Sequence, residues 1–413
     1  MKYTELELVP NILRAIQDLG FEEPTTIQEK TIPIIRKGMD VIGQSETGSG
    51  KTAAFGIPIL EKIDVTKGLQ ALVLAPTREL AEQIKKNLWQ FSKYKRTNII
   101  NIYGGVGLNP QIHSIKSAHI IVGTPGRVYD HLRRGTLNLR NIRFLVLDEA
   151  DKMFEMGFID DVKQIIGYAN KNRQTMMFSA TINKGVHMIA ERYMSHAHKI
   201  KANEYVSQQL LRQIMYQVRK HEKFSLLVHL INTENPELAI VFCGTRREVD
   251  FVSRNLVSNG INAMPLHGGL SQNQRNNIMQ KMHASKIHIL VATDIAARGL
   301  DIRNLSHIYN YNIPKTSKEY IHRIGRTARM GDKGIAINLL DERDHDNMRK
   351  ILNDHSIRIE NIYTPSFQRI QLPTFSQDSR NNRFRGNNYT SNRGKSSYRG
   401  HSSPYSNSRN YHE

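Results

Sequence analysis

Two segments of the chain carry the same alternation of short apolar runs with stretches of helical pattern. In the first segment, from about residue 40 to 200, the apolar runs span residues 71–74, 119–122, 144–147 and 175–178. In the second, from about 235 to 345, they span residues 238–242, 288–291, 305–309 and 334–339. Fully apolar strands separated by helices are typical of parallel sheets covered on both faces. The pattern predicts an α/β chain with two such domains in tandem, whose ligands bind at the carboxyl ends of the strands.

Chain length and net charge limit the number of domains and the class of partner that the chain can have. The 413 residues suffice for two domains, each with its own core. Lys and Arg number 58 against 38 acids, and this net charge of +20 favours a polyanionic partner, either nucleic acid or an acidic membrane surface. The longest apolar runs, such as residues 239–242, are far too short to span a bilayer, so we expect no membrane-spanning segment. The single Cys243 excludes an internal disulfide and suits a reducing cytoplasm.

The composition changes at the C-terminus. We expect an N-terminal domain at 1–203, a polar linker at 204–213, a second domain at 214–365 and a tail at 366–413. After Leu372 no Leu, Ile, Val or Met occurs, so the tail cannot offset its ordering entropy and is predicted to be disordered. From Ser379 onward it holds six Arg and one Lys against one acid. Its Arg-Gly pairs and tyrosines suit a sequence-tolerant tether for a single-stranded nucleic acid, and an inert polar terminus is the alternative.

A glycine-rich segment follows the apolar pair Val41-Ile42 and opens a helix. In such a segment backbone N–H groups can cradle phosphate oxygens, and the helix N-terminus adds positive potential. Lys51 can reach the β and γ phosphates, and the Thr52 hydroxyl can ligate Mg²⁺. A nucleoside triphosphate with Mg²⁺ is therefore the predicted ligand of this loop. The candidate residues of this loop are Ser45, Glu46, Thr47, Gly48, Ser49, Gly50, Lys51 and Thr52.

Two acids follow the apolar run at 144–147. Asp148 at that strand end can hold the Mg²⁺ that bridges the phosphates, and Glu149 can orient or deprotonate the attacking water. The alternative, acids that decorate a helix N-terminus, is weak after a phosphate-binding loop.

These acids belong to the tetrapeptide Asp-Glu-Ala-Asp at residues 148–151, which names the DEAD-box RNA helicases. The chain from about Tyr3 to Leu340 resembles that family throughout, which implies two tandem RecA-like domains and ATP-dependent RNA helicase activity. Phe21 and Gln28 resemble the family's Q motif, which implies that the aromatic ring packs on adenine and the amide reads the edge of the base. Tyr3 stands where the family usually has a further phenylalanine.

The resemblance also assigns roles in the second domain. Residues 320–329 are similar to family motif VI, which implies that Arg326 and Arg329 reach the γ phosphate and join the catalytic set. Being three apart, they are expected to share one face of a helix. Residues 293–301 are similar to motif V, which places Gly299 and Asp301 near the nucleotide. The residues implied in coupling hydrolysis to RNA are Asp151, Ser179, Thr181 and His322.

The remaining family motifs imply an RNA track along one edge of both sheets. Hydroxyl, guanidinium and backbone N–H groups there would contact phosphate and sugar without reading bases. The residues so assigned are Pro76, Thr77, Arg78, Gly105, Thr124, Pro125, Gly126, Arg127, Thr245, Gly268, Arg275, Thr293 and Asp294.

Four further positions depart from the family's usual residues: Ser45, Glu46, Asn312 and Ala328. None of them removes a catalytic group, and Asn312 is expected to weaken contacts between the domains or with RNA.

Three functions stay open on the sequence. The first is an ATP-dependent RNA helicase that unwinds or remodels short duplexes and RNA–protein complexes. The second is an ATP-gated RNA clamp, and the third, a DNA helicase, is disfavoured by the Q motif and Asp151. We expect a cytoplasmic monomer that binds RNA irrespective of its sequence, with ribosomal or RNA-decay complexes as partners.

Overall fold

The computed structural model describes residues 1–45, 48–202, 211–297, 305–327 and 333–371. Residues Met1–Ile370 form one compact unit, and Gln371–Glu413 form a second unit, of which only Gln371 lies among the described residues. The first unit contains two parallel sheets. We call residues 1–202 the first lobe and residues 211–370 the second lobe.

The first lobe is built on a sheet of seven parallel strands. They are β1 Val41–Gln44, β2 Ala71–Leu74, β3 Ile99–Ile102, β4 Ile120–Gly123, β5 Phe144–Leu147, β6 Gln174–Ser179 and β7 His198–Lys201. Their order across the sheet is β3-β4-β2-β5-β6-β1-β7. Since β1, β5 and β6 are adjacent, the loops that follow them emerge side by side at the carboxyl edge.

The second lobe repeats this topology with another seven strands, again all parallel. They are β8 Leu211–Gln217, β9 Ala239–Phe242, β10 Ala263–Leu266, β11 Ile289–Ala292, β12 His307–Asn310, β13 Gly334–Leu340 and β14 Glu360–Ile362. Their order is β10-β11-β9-β12-β13-β8-β14, so each strand has a counterpart in the first lobe. The strand β8 takes the place of β1.

Helices cover both faces of each sheet. Those of the first lobe, after a short 3-10 helix at Tyr3–Leu6, are α1 Pro10–Asp18, α2 Thr26–Arg36, α3 Lys51–Lys62, α4 Arg78–Phe91, α5 Leu108–Ile115, α6 Pro125–Arg133, α7 Ala150–Glu155, α8 Ile159–Tyr168 and α9 Lys184–Tyr193. Those of the second are α10 Lys223–Glu234, α11 Arg246–Ser258, α12 Gln272–His283, α13 Asp294–Ala297, α14 Ser317–Ile324 and α15 His345–Leu352. No helix among the described residues combines the length and the apolar character needed to cross a membrane.

The core explains why the strands read as continuous apolar runs. In β2, Leu72 and Val73 are both fully buried but belong to different apolar clusters, one on each side of the sheet. Successive strand residues point to opposite faces, so a sheet with helices on both sides needs apolar residues at every position. The predicted architecture of two parallel-sheet domains is confirmed.

The eight apolar runs read from the sequence all correspond to strands, within one or two residues at each end. Five other strands lacked a clear signal. Four of them, β3, β7, β10 and β14, are the edge strands of the two sheets, and the fifth is β8. All four residues of β7 are exposed or half-buried. The strand β10 contains Pro265, and proline is tolerated in an edge strand.

Two expected domain limits differ from the structure. Residues Leu211–Gln213, at the end of the expected linker, lie in β8 and pair with β13 because Leu211 completes the buried sheet; residues 203–210 lie outside the described part. The tail was expected from residue 366, but Ile370 N donates to Ser225 Oγ at 3.0 Å and Arg369 pairs with Glu222 at 2.5 Å. Residues up to 370 therefore pack on α10, and residues 372–413 lie outside the described residues.

Candidate functional site

The loop between β1 and α3 has the backbone that a phosphate cradle needs. Gly48 and Gly50 adopt left-handed φ values of 92° and 86°, which side chains with a Cβ atom disfavour. Ser49 Oγ donates to Ser45 Oγ at 2.9 Å, which ties the two ends of the loop. Lys51 begins α3, is buried, and its Nζ donates to Ser45 O at 3.0 Å. The ammonium group therefore points back into the loop, and Thr52 follows in the first turn of α3.

Gln28 joins this loop to the N-terminal residues. Its Oε1 accepts hydrogen bonds from Thr25 N at 2.9 Å and from the Tyr3 hydroxyl, and its Nε2 donates to Gly50 O at 3.0 Å. The partners fix the orientation of the amide, because Thr25 N can only donate and Gly50 O can only accept. A Cβ atom at Gly50 would lie 2.2 Å from Gln28 Nε2, so only glycine permits this approach.

Phe21, the other Q-motif residue, is half-buried and packs against the first-lobe core. Its ring centroid lies 6.4 Å from that of Phe91. Contact of Phe21 and Gln28 with adenine remains a prediction.

The two acids after β5 are buried. Asp148 and Glu149 are 2% and 3% exposed, and Asp148 Oδ1 accepts from Glu149 N at 2.9 Å. Burial raises the pKa of Asp148 to about 6, although the positive charge of Lys51 opposes the shift. A cation beside Asp148 would lower this pKa again, so the buried carboxylate favours a cation next to it.

Glu149 is held among three cations. Its backbone is left-handed, with φ 51°, and its Oε2 lies 3.2 Å from Lys152 Nζ in an ion pair that lacks hydrogen-bond geometry. Burial acts to raise the pKa of Glu149, but the charges of Lys152, Lys51 and Arg326 outweigh it and hold the pKa below its usual range. Glu149 is therefore ionised at neutral pH, as a group that accepts a proton must be.

Asp151 connects these acids to the end of β6. Its Oδ2 accepts from Thr181 N at 3.0 Å and from Thr181 Oγ1 at 2.7 Å, while its own N–H donates to Ser179 Oγ at 3.2 Å. The three residues assigned to coupling in the first lobe thus form one cluster. Lys318 of the second lobe reaches the same place, with its Nζ 3.7 Å from Asp151 Oδ2 and 2.5 Å from Glu155 Oε1.

The arginine and histidine of motif VI face this cluster from the second lobe. Arg326 is buried, and its charge acts on both Glu149 and Lys152. Burial, reinforced by the charge of Lys152, lowers the pKa of His322 to about 3, so its imidazole is neutral. Residues from both lobes therefore share one buried set of charges.

One expectation about motif VI is wrong for Arg326. The helix α14 ends at Ile324, and Arg326 N donates to Arg323 O at 3.1 Å in the turn that follows. Glycine at position 325 disfavours continuation of the helix. Arg329 lies outside the described residues, as do Glu46, Thr47, Gly299 and Asp301.

Arg323 hydrogen-bonds to three polar residues within the second lobe. Its guanidinium forms a bidentate pair with Asp294, at 2.6 and 2.7 Å, and donates to Asn310 Oδ1 at 2.8 Å and to Asn312 O at 2.6 Å. Asp294, assigned to RNA, thus has both carboxylate oxygens engaged. Asn312 bonds within its lobe, since its Oδ1 accepts from Gly244 N at 2.9 Å.

At the expected RNA edge, several of the assigned side chains already have partners. Thr77 and Thr245 cap α4 and α11, and Arg127 donates to Val106 O at 3.2 Å. Gly105 has φ 81°, and a Cβ atom there would lie 2.2 Å from Arg78 Nη1, so the guanidinium lies against its backbone.

The other residues assigned to this edge lie in turns or at helix starts. Pro76 follows β2, Thr124, Pro125 and Gly126 begin α6, Gly268 follows β10, and Thr293 follows β11.

Two contacts at this edge join the lobes. Arg78 Nη1 donates to Gln272 Oε1 at 3.2 Å, and Arg275 Nη2 lies 3.0 Å from Glu79 Oε1, both of these side chains being mostly buried. The α4 and α12 N-termini therefore meet across the cleft. Glu79, Gln272, Lys318 and Lys152 carry no motif signal that assigns them to the site. Lys152 directly follows the acidic tetrapeptide, and only that position could have suggested it.

Comparison with known proteins adds the family. Residues 25–189 match the DEAD/DEAH box helicase family, and residues 222–331 match the helicase conserved C-terminal domain. The chain is 44% identical over 368 residues to the DEAD-box ATP-dependent RNA helicase CshA of Bacillus cereus, covering 88% of this chain and 70% of that protein. It is also 44% identical over 370 residues to the ATP-dependent RNA helicase CshA of Listeria monocytogenes, covering 89% and 71%.

The chain belongs to the DEAD-box ATP-dependent RNA helicases. The family resemblance read from the motifs is confirmed, and with it the RecA-like assignment of both lobes.

Solved structures of this family are similar to this chain over both lobes. Saccharomyces cerevisiae Dbp5 bound to RNA and ADP BeF3 is 30% identical, with a TM-score of 0.79 over 88% of this chain and 96% of that one. A Dbp5 variant bound to nup159, gle1, IP6 and ADP gives a TM-score of 0.63 at 28% identity, over 87% and 96%. Both likenesses extend over most of each chain, including both lobes.

Proposed function

We propose that this helicase hydrolyses ATP in the cleft between its lobes and uses lobe closure to separate short RNA duplexes. One observation carries the proposal: Lys51, Asp148 and Glu149 of the first lobe share a buried set of charges with Arg326 of the second. A site divided in this way is complete only when the lobes meet. ATP and RNA would favour that state through their higher affinity for it.

In the proposed site the phosphates lie in the loop of residues 45–50, and Lys51 reaches the β and γ phosphates. Thr52 and Asp148 would hold Mg²⁺, which polarises the phosphoryl oxygens when bound. The buried carboxyl of Asp148 has a raised pKa, which is consistent with a metal ligand, because a bound cation would lower that pKa. Within the described residues no three His, Cys, Asp or Glu side chains form a metal cluster. Phosphate oxygens and water would therefore complete the coordination of the metal.

The remaining residues have separate proposed roles in ATP hydrolysis and in its coupling to RNA. Glu149, ionised by its cationic surroundings, orients the attacking water and accepts its proton. Arg326 stabilises the charge that develops on the transferred phosphoryl group. We assign Asp151, Ser179, Thr181 and His322 to coupling, because hydrogen bonds join the first three and the charge of Asp151 acts on His322. Arg329, Gly299 and Asp301 keep their proposed nucleotide contacts.

RNA would lie along the carboxyl edges of both sheets, where contacts to phosphate and sugar require no particular base sequence. Closure joins α4 to α12 at this edge, so a bound strand is gripped by both lobes at once. We propose a cytoplasmic monomer, with ribosomal or RNA-decay complexes as its setting. The chain's excess of basic residues and its single buried cysteine support this.

The test is ATP turnover by the full chain with and without single-stranded RNA. We expect RNA to stimulate turnover, and we expect Glu149→Gln to lower it by about 100-fold or more while ATP still binds. Glu342→Gln, which changes an exposed carboxyl of the second lobe, is the matched control and should leave turnover unchanged. Turnover that is indifferent to RNA would refute the helicase cycle, and full activity of Glu149→Gln would refute the assigned base.

A long-lived RNA clamp is the second candidate. The ion pairs that join the lobes, Arg275 with Glu79 and Lys318 with Glu155, favour a closed state that releases RNA slowly. Release of a short strand from matched RNA and DNA duplexes separates the functions. Rapid release from RNA supports unwinding, whereas a persistent complex without strand release supports the clamp.

A further inference from the structure

The helix α4 has a solvent-facing stripe that begins at the RNA edge and leads away from it. Its buried residues pack into the first-lobe core and are Leu80, Ala81, Ile84, Leu88 and Phe91. The residues Arg78, Glu82, Lys85 and Trp89 follow one another at intervals of four, three and four. On a helix this spacing places them on one face, separate from the buried one, with Glu82 and Trp89 exposed and Arg78 and Lys85 half-buried.

Trp89 is the most unusual member of the stripe. It is the only tryptophan of the chain, and 66% of its surface is exposed. A tryptophan ring buries a large apolar area when it has a partner, so leaving it in water forgoes much stabilisation. The indole is therefore a candidate contact for a flat, apolar ligand surface.

The surroundings of Trp89 are basic. Lys85 and Lys86, one turn before it, form no ion pair with any residue in the described part of the chain. Lys93 lies one turn after it, and Arg14 stacks on Tyr94 with its guanidinium 4.4 Å from the ring centroid.

Two acids lie along the same surface, and both have partners. Glu82 accepts a hydrogen bond from the Tyr103 hydroxyl. Asp18 accepts from Lys93 Nζ at 2.6 Å and from the Tyr94 hydroxyl at 2.5 Å. Cations outnumber acids around the indole, so the surface favours a polyanion.

We propose that this stripe, together with the neighbouring Lys86, is a second contact for single-stranded RNA that leaves the cleft. An unpaired base stacks on Trp89, and Lys85 and Lys86 neutralise the adjacent phosphates. Stacking on an aromatic residue within a basic groove is how proteins hold single strands without reading their sequence.

The occupant is RNA because the stripe is continuous with the RNA edge. Arg78 lies at the N-terminus of α4 beside Gly105, and Trp89 lies eleven residues further along the helix, a distance of about 16 Å. A strand held at Arg78 can reach Trp89 without a change in the fold. The inference rests on the proposed function in one respect, that RNA passes Arg78.

Trp89 itself provides the measurement, since its fluorescence is the only tryptophan signal of the protein. The full chain is titrated with a short oligouridine that fills only the cleft and with a longer one that extends past it. We expect the longer strand alone to quench Trp89. We expect Trp89→Ala to weaken binding of the longer strand by about tenfold and to leave the shorter one unchanged. Trp89→Phe should keep most of the affinity, because a phenyl ring also stacks.

Tyr168→Ala is the matched control, because Tyr168 is an exposed aromatic residue on a different helix, α8. It should bind both strands like the natural chain. Lys85→Ala with Lys86→Ala should reduce the dependence of log affinity on log salt by about 0.7 for each lysine.

Quenching that is equal for both strands, or equal affinity of Trp89→Ala and the natural chain for the longer strand, would overturn the proposal. The proposal would also be overturned if truncation after residue 371 changed the Trp89 emission of RNA-free protein, because the tail would then occupy the stripe. RNA-stimulated ATP turnover is measured in parallel, and its loss would indicate failure of the proposed function instead.

Discussion

The two lobes place a buried lysine at the same point of the same topology and surround it differently. Lys51 begins α3 after β1, and Lys223 begins α10 after β8, the strand that takes the place of β1. Lys51 Nζ donates to a backbone carbonyl and pairs with no carboxylate among the described residues. Lys223 Nζ lies 3.0 Å from Asp341 Oδ2 and 2.6 Å from Asp344 Oδ2.

The difference shows how one topology supports chemistry in one lobe and stability in the other. In the second lobe two buried carboxylates pair with the equivalent lysine. In the first lobe the lysine faces a glycine-rich loop, and its charge remains available to a ligand. Function thus follows from the loops and not from the sheet that carries them.

The largest expected effect tests whether the second lobe completes the first lobe's site. Arg326→Ala should lower RNA-stimulated ATP turnover by about 1,000-fold or more, because it removes the charge that stabilises the transferred phosphoryl group. Steady-state turnover at saturating ATP and RNA measures this. Arg349→Ala, which removes an exposed ion pair with Asp346, is the control and should turn over normally. Unimpaired turnover in Arg326→Ala would mean that the first lobe works alone.

The next effect concerns stability in the second lobe. Lys223→Met should destabilise it by about 3–5 kcal/mol, because two buried carboxylates lose their partner. Unfolding in urea, followed for each lobe, is the measurement. Adding Asp344→Asn to Lys223→Met should restore part of the loss.

The same variant has a defined pH dependence. Burial acts to raise the pKa of Asp341, but hydrogen bonds from Arg343 and Lys223 outweigh it and hold the pKa below its usual range. A depressed carboxyl pKa stabilises the fold above about pH 4 and less as pH falls towards the folded pKa. The stability difference between Lys223→Met and the natural chain should therefore be largest at neutral pH and shrink in acid. A constant difference would contradict the role of the ion pair.

Lys51→Met is the counterpart in the first lobe, with the opposite balance of effects. We expect ATP turnover to fall by about 100- to 1,000-fold, as for removal of one donor from a developing charge. Its loss of stability should be smaller than that of Lys223→Met, because Lys51 has no carboxylate partner within bonding distance in the described residues. Equal destabilisation by the two substitutions would remove the contrast between the lobes.

The smallest effect tests the N-terminal support of the phosphate loop in the first lobe. Tyr3→Phe removes one of the two donors to Gln28 Oε1 and loosens the residue that bonds Gly50 O. A net loss of about 1 kcal/mol corresponds to about fivefold weaker ATP binding. The KM for ATP should rise while kcat at saturation is kept, and Tyr168→Phe should change neither. If Tyr3 acts through Gln28, the substitution should have no further effect in Gln28→Ala.

Much of the fold follows from local sequence. Apolar runs such as 71–74 and 239–242 predicted central strands because both faces of those strands are covered. The edge strands β7 and β14 were missed because exposed residues such as Lys199 and Glu360 carry no apolar pattern. The strand β8 was partly taken for linker, since its polar residues Arg212 and Gln213 interrupt the run.

The sequence by itself determined the phosphate loop, the acids after β5 and the order of the family motifs, because each depends on neighbouring residues and on strand-to-helix turns. Only the tertiary structure decided which charges meet. Arg275 and Glu79 are far apart in the chain yet lie 3.0 Å apart, and Arg326 acts on Glu149 from the other lobe. Electrostatic interactions depend on distance and burial, which no local pattern encodes. The order of the strands and the contact between the lobes set both.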